Sequence, residues 1–131
     1  MERSKETDFI IIDDDFINNI ICEKVIRTRF PYSIISIFTN AQKGLEYING
    51  KTGDPASIDA LLFLDINMPG LNGWDLLEQL ADLPTEVSKR LRIYLLSSSV
   101  NPEDKLKATN DAMVSGYIEK PLTQGKLAAC F

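Results

Sequence analysis

Residues 61–69 read Leu61-Leu62-Phe63-Leu64-Asp65-Ile66-Asn67-Met68-Pro69, four large apolar side chains running directly into a carboxylate. An unbroken apolar run of this kind predicts a strand covered on both faces, because a strand with one wet face would alternate. Asp65 therefore stands at the carboxyl end of a core strand. Pro69 and Gly70 break the strand, Asn72-Gly73 marks a turn, and Trp74, Leu76, Leu77 and Leu80 have the apolar spacing of a helix. An acid at a strand-to-helix junction lies on the edge where open α/β sheets bind their ligands.

The same grammar repeats along the chain. Phe9-Ile10-Ile11-Ile12 is a short apolar strand ending in Asp13-Asp14-Asp15, and Ile17, Ile20, Ile21, Val25 and Ile26 then recur at helical spacing to about Arg29, before Pro31. Residues 33–38 predict a second strand, and Thr39-Asn40 opens a helix carrying Leu45, Tyr47 and Ile48. Residues 49–55, rich in Gly, Asn, Asp and Pro, form a surface loop. Pro84 interrupts a polar segment, and residues 91–96 predict a fourth strand running into Ser97-Ser98-Ser99. Asn101-Pro102-Glu103-Asp104 is a helix entry, with Pro in the first turn and acids at the positive end of the dipole, for a helix to about Ala112. Residues 116–119 are a short fifth strand ending at Lys120-Pro121, and a last short helix starts near Thr123. Five strands alternating with helices imply one parallel sheet covered on both faces.

Composition narrows the function. A chain of 131 residues with 44% hydrophobic content is large enough to bury the core of one domain. Its net charge of -5, with no Lys/Arg cluster, gives no footprint for nucleic acid. Histidine is absent, which excludes a histidine general base, ligand or phosphoryl carrier within the chain. Cys22 and Cys130 have neither metal spacing nor a framework of pairs and read as reduced thiols of a cytoplasmic protein. No apolar run approaches the ~18 residues of a membrane helix, and residues 1–8 lack the apolar stretch of a signal peptide.

The strand ends carry the chemistry: Asp13, Asp14 and Asp15 after strand one, Asp65 after strand three, Ser97 after strand four and Lys120 after strand five. In a parallel sheet these meet on one edge. Clustered carboxylates repel unless a cation neutralises them, and Mg²⁺, a hard ion taking oxygen ligands, suits such a cluster. A hydroxyl and an ammonium beside it would serve the remaining oxygens of a phosphoryl group, so the set suits phosphoryl transfer onto a carboxylate. Taken singly, each residue has an ordinary explanation: Asp14 or Asp15 as a helix cap, Asp65 as a turn former, the serines as a loop, Lys120 as an exposed lysine. The order acid pair, acid, hydroxyl, lysine on successive strand ends is what joins them.

That order resembles the response-regulator receiver domain of bacterial two-component signalling. The resemblance rests on Asp13-Asp14, on Asp65-Ile66-Asn67-Met68-Pro69 followed by Gly70-Leu71-Asn72-Gly73, on Ser97, on Tyr117 and on Lys120-Pro121, and it extends over residues 7–131. It implies a flavodoxin-like three-layer α/β sandwich, with a five-stranded parallel sheet in order 2-1-3-4-5 and five helices. It implies one receiver domain over residues 1–131, with a flexible N-terminus over 1–7 and no effector domain. Asp65 would accept a phosphoryl group from a sensor histidine kinase or phosphotransfer protein, making the protein a signalling phosphoacceptor rather than an enzyme. Asp14 would bind Mg²⁺ directly, Asp13 partly through water and Asn67 through its backbone carbonyl, while Ser97 and Lys120 bind phosphoryl oxygens. Asp15 lies outside the metal pair as a helix-start residue, and the peptide before Pro121 is expected to be cis.

Two positions depart from the family pattern. Ser97 replaces the commoner threonine and keeps the hydroxyl, and Asn72 replaces an aspartate before Gly73. On phosphorylation Ser97 would move toward the new oxygens with residues 98–100, and Tyr117 would turn inward. The face of the fourth helix, fifth strand and fifth helix would change with them, offering a site for a downstream protein or a phosphorylation-dependent dimer. Ser99 and Asn67 flank the site, and Trp74 is either a packed wedge or an exposed recognition residue. Two rivals stand beside this reading. A haloacid-dehalogenase-like phosphatase would use Asp13 as nucleophile and Asp15 as general acid, with Ser97 and Lys120 behind them, but leaves Asp65 without a role. An interaction module that is never phosphorylated would keep only the fold.

Overall fold

The computed structural model describes residues 7–50, 59–98 and 101–131. Residues 1–6, most of the expected surface loop, and Ser99 and Val100 lie outside the described residues. The elements are β1 (Asp8–Ile12), α1 (Phe16–Arg29), β2 (Ile35–Phe38), α2 (Ala41–Asn49), β3 (Ala60–Asp65), α3 (Gly73–Leu80), α4 (Thr85–Ser88), β4 (Leu91–Ser97), α5 (Pro102–Thr109), β5 (Val114–Glu119) and α6 (Gln124–Ala128). All five strands pair in parallel, in order β2-β1-β3-β4-β5. None of the helices among the described residues is long and apolar enough to cross a membrane.

Period two along the central strands divides the core into two layers. Ile10, Ile12, Leu62, Leu64, Ile93 and Leu95 pack under α2, α3 and α5. Phe9, Ile11, Leu61, Phe63 and Leu96 pack under α1 and α6. Every residue of β3 is buried, as its unbroken apolar run requires. Helix starts follow the sequence signals: Asp15, Asn40, Asn101 and Thr123 each accept a backbone N–H of the helix they precede.

Several boundaries differ from the sequence reading. Six helices are present among the described residues instead of five, because Pro84 starts the one-turn α4, whose Val87 is buried under the sheet. The expected fourth and fifth helices are thus α5 and α6. α5 ends at Thr109 rather than near Ala112, since Asp111 turns the chain by accepting the Met113 N–H. β5 begins two residues early, at Val114, and Ser115 is an extra residue at a bulge opposite Ile93 and Tyr94. β2 is shorter than expected and starts at Ile35.

Asn72-Gly73, expected as a turn, is the start of α3. Asn72 and Asp75 form a reciprocal capping box, each side chain accepting the other's backbone N–H. Gly70, with φ 75°, is the residue that turns the chain. Gly73 serves a different need. Its N–H donates to the Ile66 carbonyl, and a Cβ there would lie 2.6 Å from the Asp65 carbonyl oxygen and 2.9 Å from Ile66 Cα. α3 therefore docks its first residue directly on the end of β3, which fixes the backbone carrying Asp65. Gly73→Ala should push the two apart and lower stability by about 1–3 kcal/mol, the usual range for overpacking. The check is the urea midpoint at unchanged m-value; a wild-type midpoint would mean that this approach is not tight.

Candidate functional site

The carboxyl edge of the sheet gathers the residues that the sequence placed at strand ends. Asp13 follows β1 and is fully buried, its backbone N–H still paired with Phe38 of the β2 edge. One of its oxygens, Oδ1, accepts the Asp15 N–H at 2.8 Å. The other, Oδ2, accepts the Asn18 amide at 2.7 Å and lies 2.8 Å from Lys120 Nζ. Asp65, the last residue of β3, is also buried; its Oδ1 accepts the Asn67 N–H at 3.2 Å and lies 3.4 Å from the same ammonium. Asp14 is exposed beside them, and one oxygen each of Asp13, Asp14 and Asp65 falls within 4.8 Å of the others. Three hard oxygen donors that converge, one of them facing solvent, suit a small divalent cation.

Lys120 reaches this cluster because β5 delivers it there: its backbone N–H donates to the Ser97 carbonyl at 2.7 Å, and Lys120-Pro121 is a cis peptide. Ser97, buried at the end of β4, is thereby tied to the lysine. Tyr117, opposite Leu95 in the β4–β5 ladder, is half-buried against the core under α5. Asn67 is exposed at the rim and Ser99 lies outside the described residues. Asp15 is the cap of α1, its Oδ1 accepting the Ile17 and Asn18 N–H groups. A phosphatase that needed Asp15 as general acid would have to break that cap, and Asp65 would still have no role. Trp74, in the first turn of α3, is partly buried against the core, and Lys107 Nζ of α5 lies 4.4 Å from its ring centroid.

Electrostatics follow from placing two buried acids around one base. Burial, then the charge of Asp13, lifts the Asp65 carboxyl from an ordinary 3.8 to about 7, against the opposing pull of Lys120. Burial alone would lower the Lys120 ammonium, but hydrogen bonding and charge from Asp13, then Asp65, leave it raised. Burial, then the Asp13 charge, pushes the neighbouring Cys22 thiol to about 12, so it remains a thiol; Cys22 and Cys130 are both unbridged and buried.

The sequence reading missed the two asparagines of α1. Ile17, Ile20, Ile21, Val25 and Ile26 have helical spacing, yet Phe16, Ile17 and Ile20 are 69%, 68% and 43% exposed and the buried residues are Asn18, Asn19, Cys22 and Ile26. The reason is local: the Asn18 amide serves the Asp13 carboxylate, and the Asn19 amide serves the Asp13 carbonyl at 2.9 Å. Two adjacent amides one turn after an acid run, in phase with Cys22 and Ile26, were the available signal.

A pH dependence arises from Asp65. Its folded pKa lies above its unfolded value, so the folded state holds a proton that the unfolded chain releases. The contribution is most favourable below pH 4 and is lost as pH rises toward 7. In metal-free protein at pH 8, Asp65→Asn should raise stability by roughly 2–4 kcal/mol, an advantage that disappears near pH 4. Denaturant unfolding of both proteins across this range checks it; a difference that does not vary with pH would contradict the assignment.

The chain's residues 9–131 match the family model described as the response regulator receiver domain. It is similar to a two-component response regulator of Cytophaga hutchinsonii, with 30% identity, a TM-score of 0.88 and coverage of 97% of this chain and 95% of that one. A response regulator receiver protein of Dyadobacter fermentans is similar too, at 26% identity and TM-score 0.86, over 95% and 94% of the two chains. Among curated sequences, the two-component response regulator ARR22 of Arabidopsis thaliana is 29% identical over 95% of this chain and 81% of its own length. The sensory/regulatory protein RpfC of Xanthomonas campestris is 33% identical over 53% of this chain, a stretch that spans only 9% of that protein. The strand order, the acid cluster at the sheet edge and this family match together make the chain a member of the response regulator receiver domain family.

Proposed function

We propose that the protein accepts a phosphoryl group on Asp65 from the phosphohistidine of a sensor histidine kinase or a phosphotransfer protein, and signals to a protein partner. The observation that carries this is the single ammonium of Lys120 lying 2.8 Å from Asp13 and 3.4 Å from Asp65, with Asp14 completing a triad of acids. Asp65 Oδ would attack phosphorus as the phosphorus–nitrogen bond of the donor breaks, and the electron pair returns to the imidazole. Raising its pKa by burial keeps that carboxylate more basic than an ordinary one, which favours attack once its charge is supported.

Asp13, Asp14 and Asp65, with the Asn67 carbonyl, would hold Mg²⁺, which supplies neutralisation of the acids and of the phosphoryl oxygens. Lys120, relieved of part of its pairing with Asp13, would hold a phosphoryl oxygen. Ser97, joined to the lysine through the main chain, would present its hydroxyl to another oxygen. With Ser97 and Tyr117 as the switch residues, the face of α5, β5 and α6 is the output surface toward a downstream protein. Free buried thiols support a reducing compartment, the cytoplasm.

A protein donor must cover the rim of the site to bring its imidazole into line. Phe16, Ile17 and Ile20, large apolar groups exposed on the first turns of α1 directly after the acid run, support such a donor.

Two measurements separate the acceptor from the donor surface. Incubated with Mg²⁺ and acetyl phosphate, the intact protein should gain the mass of one phosphoryl group, removed by hydroxylamine, while Asp65→Asn folds and gains nothing; labelling that persists in that variant would count against Asp65. The pair Ile17→Ser with Ile20→Ser should slow transfer from a phosphorylated protein donor at least ~10-fold, as loss of central interface anchors does, and leave acetyl phosphate labelling alone. Equal losses with both donors would show that α1 supports the site rather than the donor.

A further inference from the structure

The buried amides of α1 are the feature that neither the fold nor the proposed chemistry absorbs. A helix resting on a sheet ordinarily turns its apolar residues inward. Here Phe16, Ile17 and Ile20 lie in solvent while Asn18 and Asn19 are 5% and 3% exposed. Asn18 projects from the first turn of α1, its own backbone N–H held by the Asp15 cap. Its amide nitrogen is 2.7 Å from Asp13 Oδ2 and 3.6 Å from Cys22 Sγ. An ionised carboxylate can only accept, so the NH₂ group of Asn18 is the end that faces it. Asn19 grips the same residue from the main-chain side, through the Asp13 carbonyl, and its own Oδ1 is buried without a partner among the described residues. A helix selected for stability alone would not bury this pair, because an orphaned polar atom and exposed isoleucines both count against the folded state.

We infer that Asn18 is a positioning residue for the divalent cation, holding the Asp13 carboxylate in the orientation that lets it share the ion with Asp14 and Asp65. The inference rests on the phosphoacceptor reading above. Among the described residues, the Asp13 carboxylate is held by the Asp15 N–H, the Asn18 amide and the Lys120 ammonium, and these differ in kind. The Asp15 N–H is fixed by the backbone, and Lys120 is a flexible ammonium needed elsewhere once phosphate arrives. The Asn18 amide is the neutral donor on Oδ2 that can remain while Lys120 leaves, since it adds no charge to compete with the ion. Without it, Asp13 would lose its second anchor whenever the lysine is engaged, and the carboxylate would be free to rotate. Outer groups that orient a metal-binding carboxylate typically matter 10–100-fold in affinity.

The test is Asn18→Leu, close in volume and suited to a site lined by Cys22, with Asn18→Ala as the second variant should leucine prevent folding. Mg²⁺ alone is titrated calorimetrically into each folded protein, and melting temperatures are recorded without metal. A Kd weakened about 10-fold or more, with the metal-free melting temperature retained or raised, is the expected result. The Mg²⁺ concentration for half-maximal labelling by acetyl phosphate should rise by the same factor, and the rate at saturating Mg²⁺ should be unchanged. A wild-type Kd in the variant, beside normal labelling of the wild type, would overturn the role of Asn18 alone. A wild-type protein that neither binds Mg²⁺ nor is labelled would overturn the phosphoacceptor reading, and this inference with it.

Discussion

One ammonium between two buried carboxylates sets the terms for the rest of this molecule. Lys120 touches both Asp13 and Asp65, with Asp14 at the rim, so among the described residues a cluster of three acids is met by the ammonium of Lys120. Two like charges about 4 Å apart repel by about 4 kcal/mol at an effective dielectric constant of 20, so the cluster is a stored repulsion. The raised carboxyl of Asp65 is one way the protein relieves it. A divalent cation would be another, and the two are alternatives at the same oxygens. Such a site persists only on a rigid support, and that support is the central pair β1 and β3, whose register from Asp8 opposite Ala60 to Ile12 opposite Leu64 brings the two acids out together.

Much of this support is written locally in the chain. Unbroken apolar runs ending in acids mark β1 and β3 and the edge at which they deliver Asp13 and Asp65, because a doubly covered strand has no polar position before its end. The cap residues mark the helix starts for an equally local reason. What escaped was decided by partners remote in sequence. Val87 of α4 is buried by the sheet, not by its own helix, and four residues offer no period to read. Gly73 looked like a turn glycine, but its demand comes from the Asp65 carbonyl. Ser115 became a bulge through the pairing of β5 with β4. The residues at strand ends, Asp13, Asp65, Ser97 and Lys120, were legible and the amides of α1 were not, because a polar residue closing an apolar strand is unusual whereas an asparagine in a helix is not.

α1 shows how the site imposes itself on the surrounding core. The helix is anchored to the sheet through Cys22 and Ile26, and Leu127 of α6 and Cys130 just beyond it add to the same layer, so its C-terminal half is ordinary packing. Its N-terminal half exchanges packing for hydrogen bonds to Asp13, and its apolar side chains lie outside. That exchange explains why hydrophobic periodicity read the second half of the helix correctly and the first half wrongly. It also places an apolar surface next to the acids, so the residues that hold the cluster and those that could meet a protein donor share one turn of helix.

On the phosphoacceptor reading, the direction in which the signal leaves can be argued from burial. Ser97 and Lys120 are joined through their main chains, and β4 and β5 are paired from Ile93 to Ser97, so a group engaging both side chains acts on one stiff two-stranded unit. The next helix, α5, is held far less firmly. It buries a single residue, Ala108, and leaves Leu106 63% exposed. Its contact with α3 includes Lys107 lying over the Trp74 ring, an interaction between a cation and a half-exposed aromatic that is worth about 0.5–1 kcal/mol where water can reach it. Elements with few buried apolar contacts are the ones that shift at small energetic cost. A pull on Ser97 would therefore be absorbed by α5 rather than by the strands, and Tyr117, packed against the core layer to which α5 contributes Ala108, stands beside that movement.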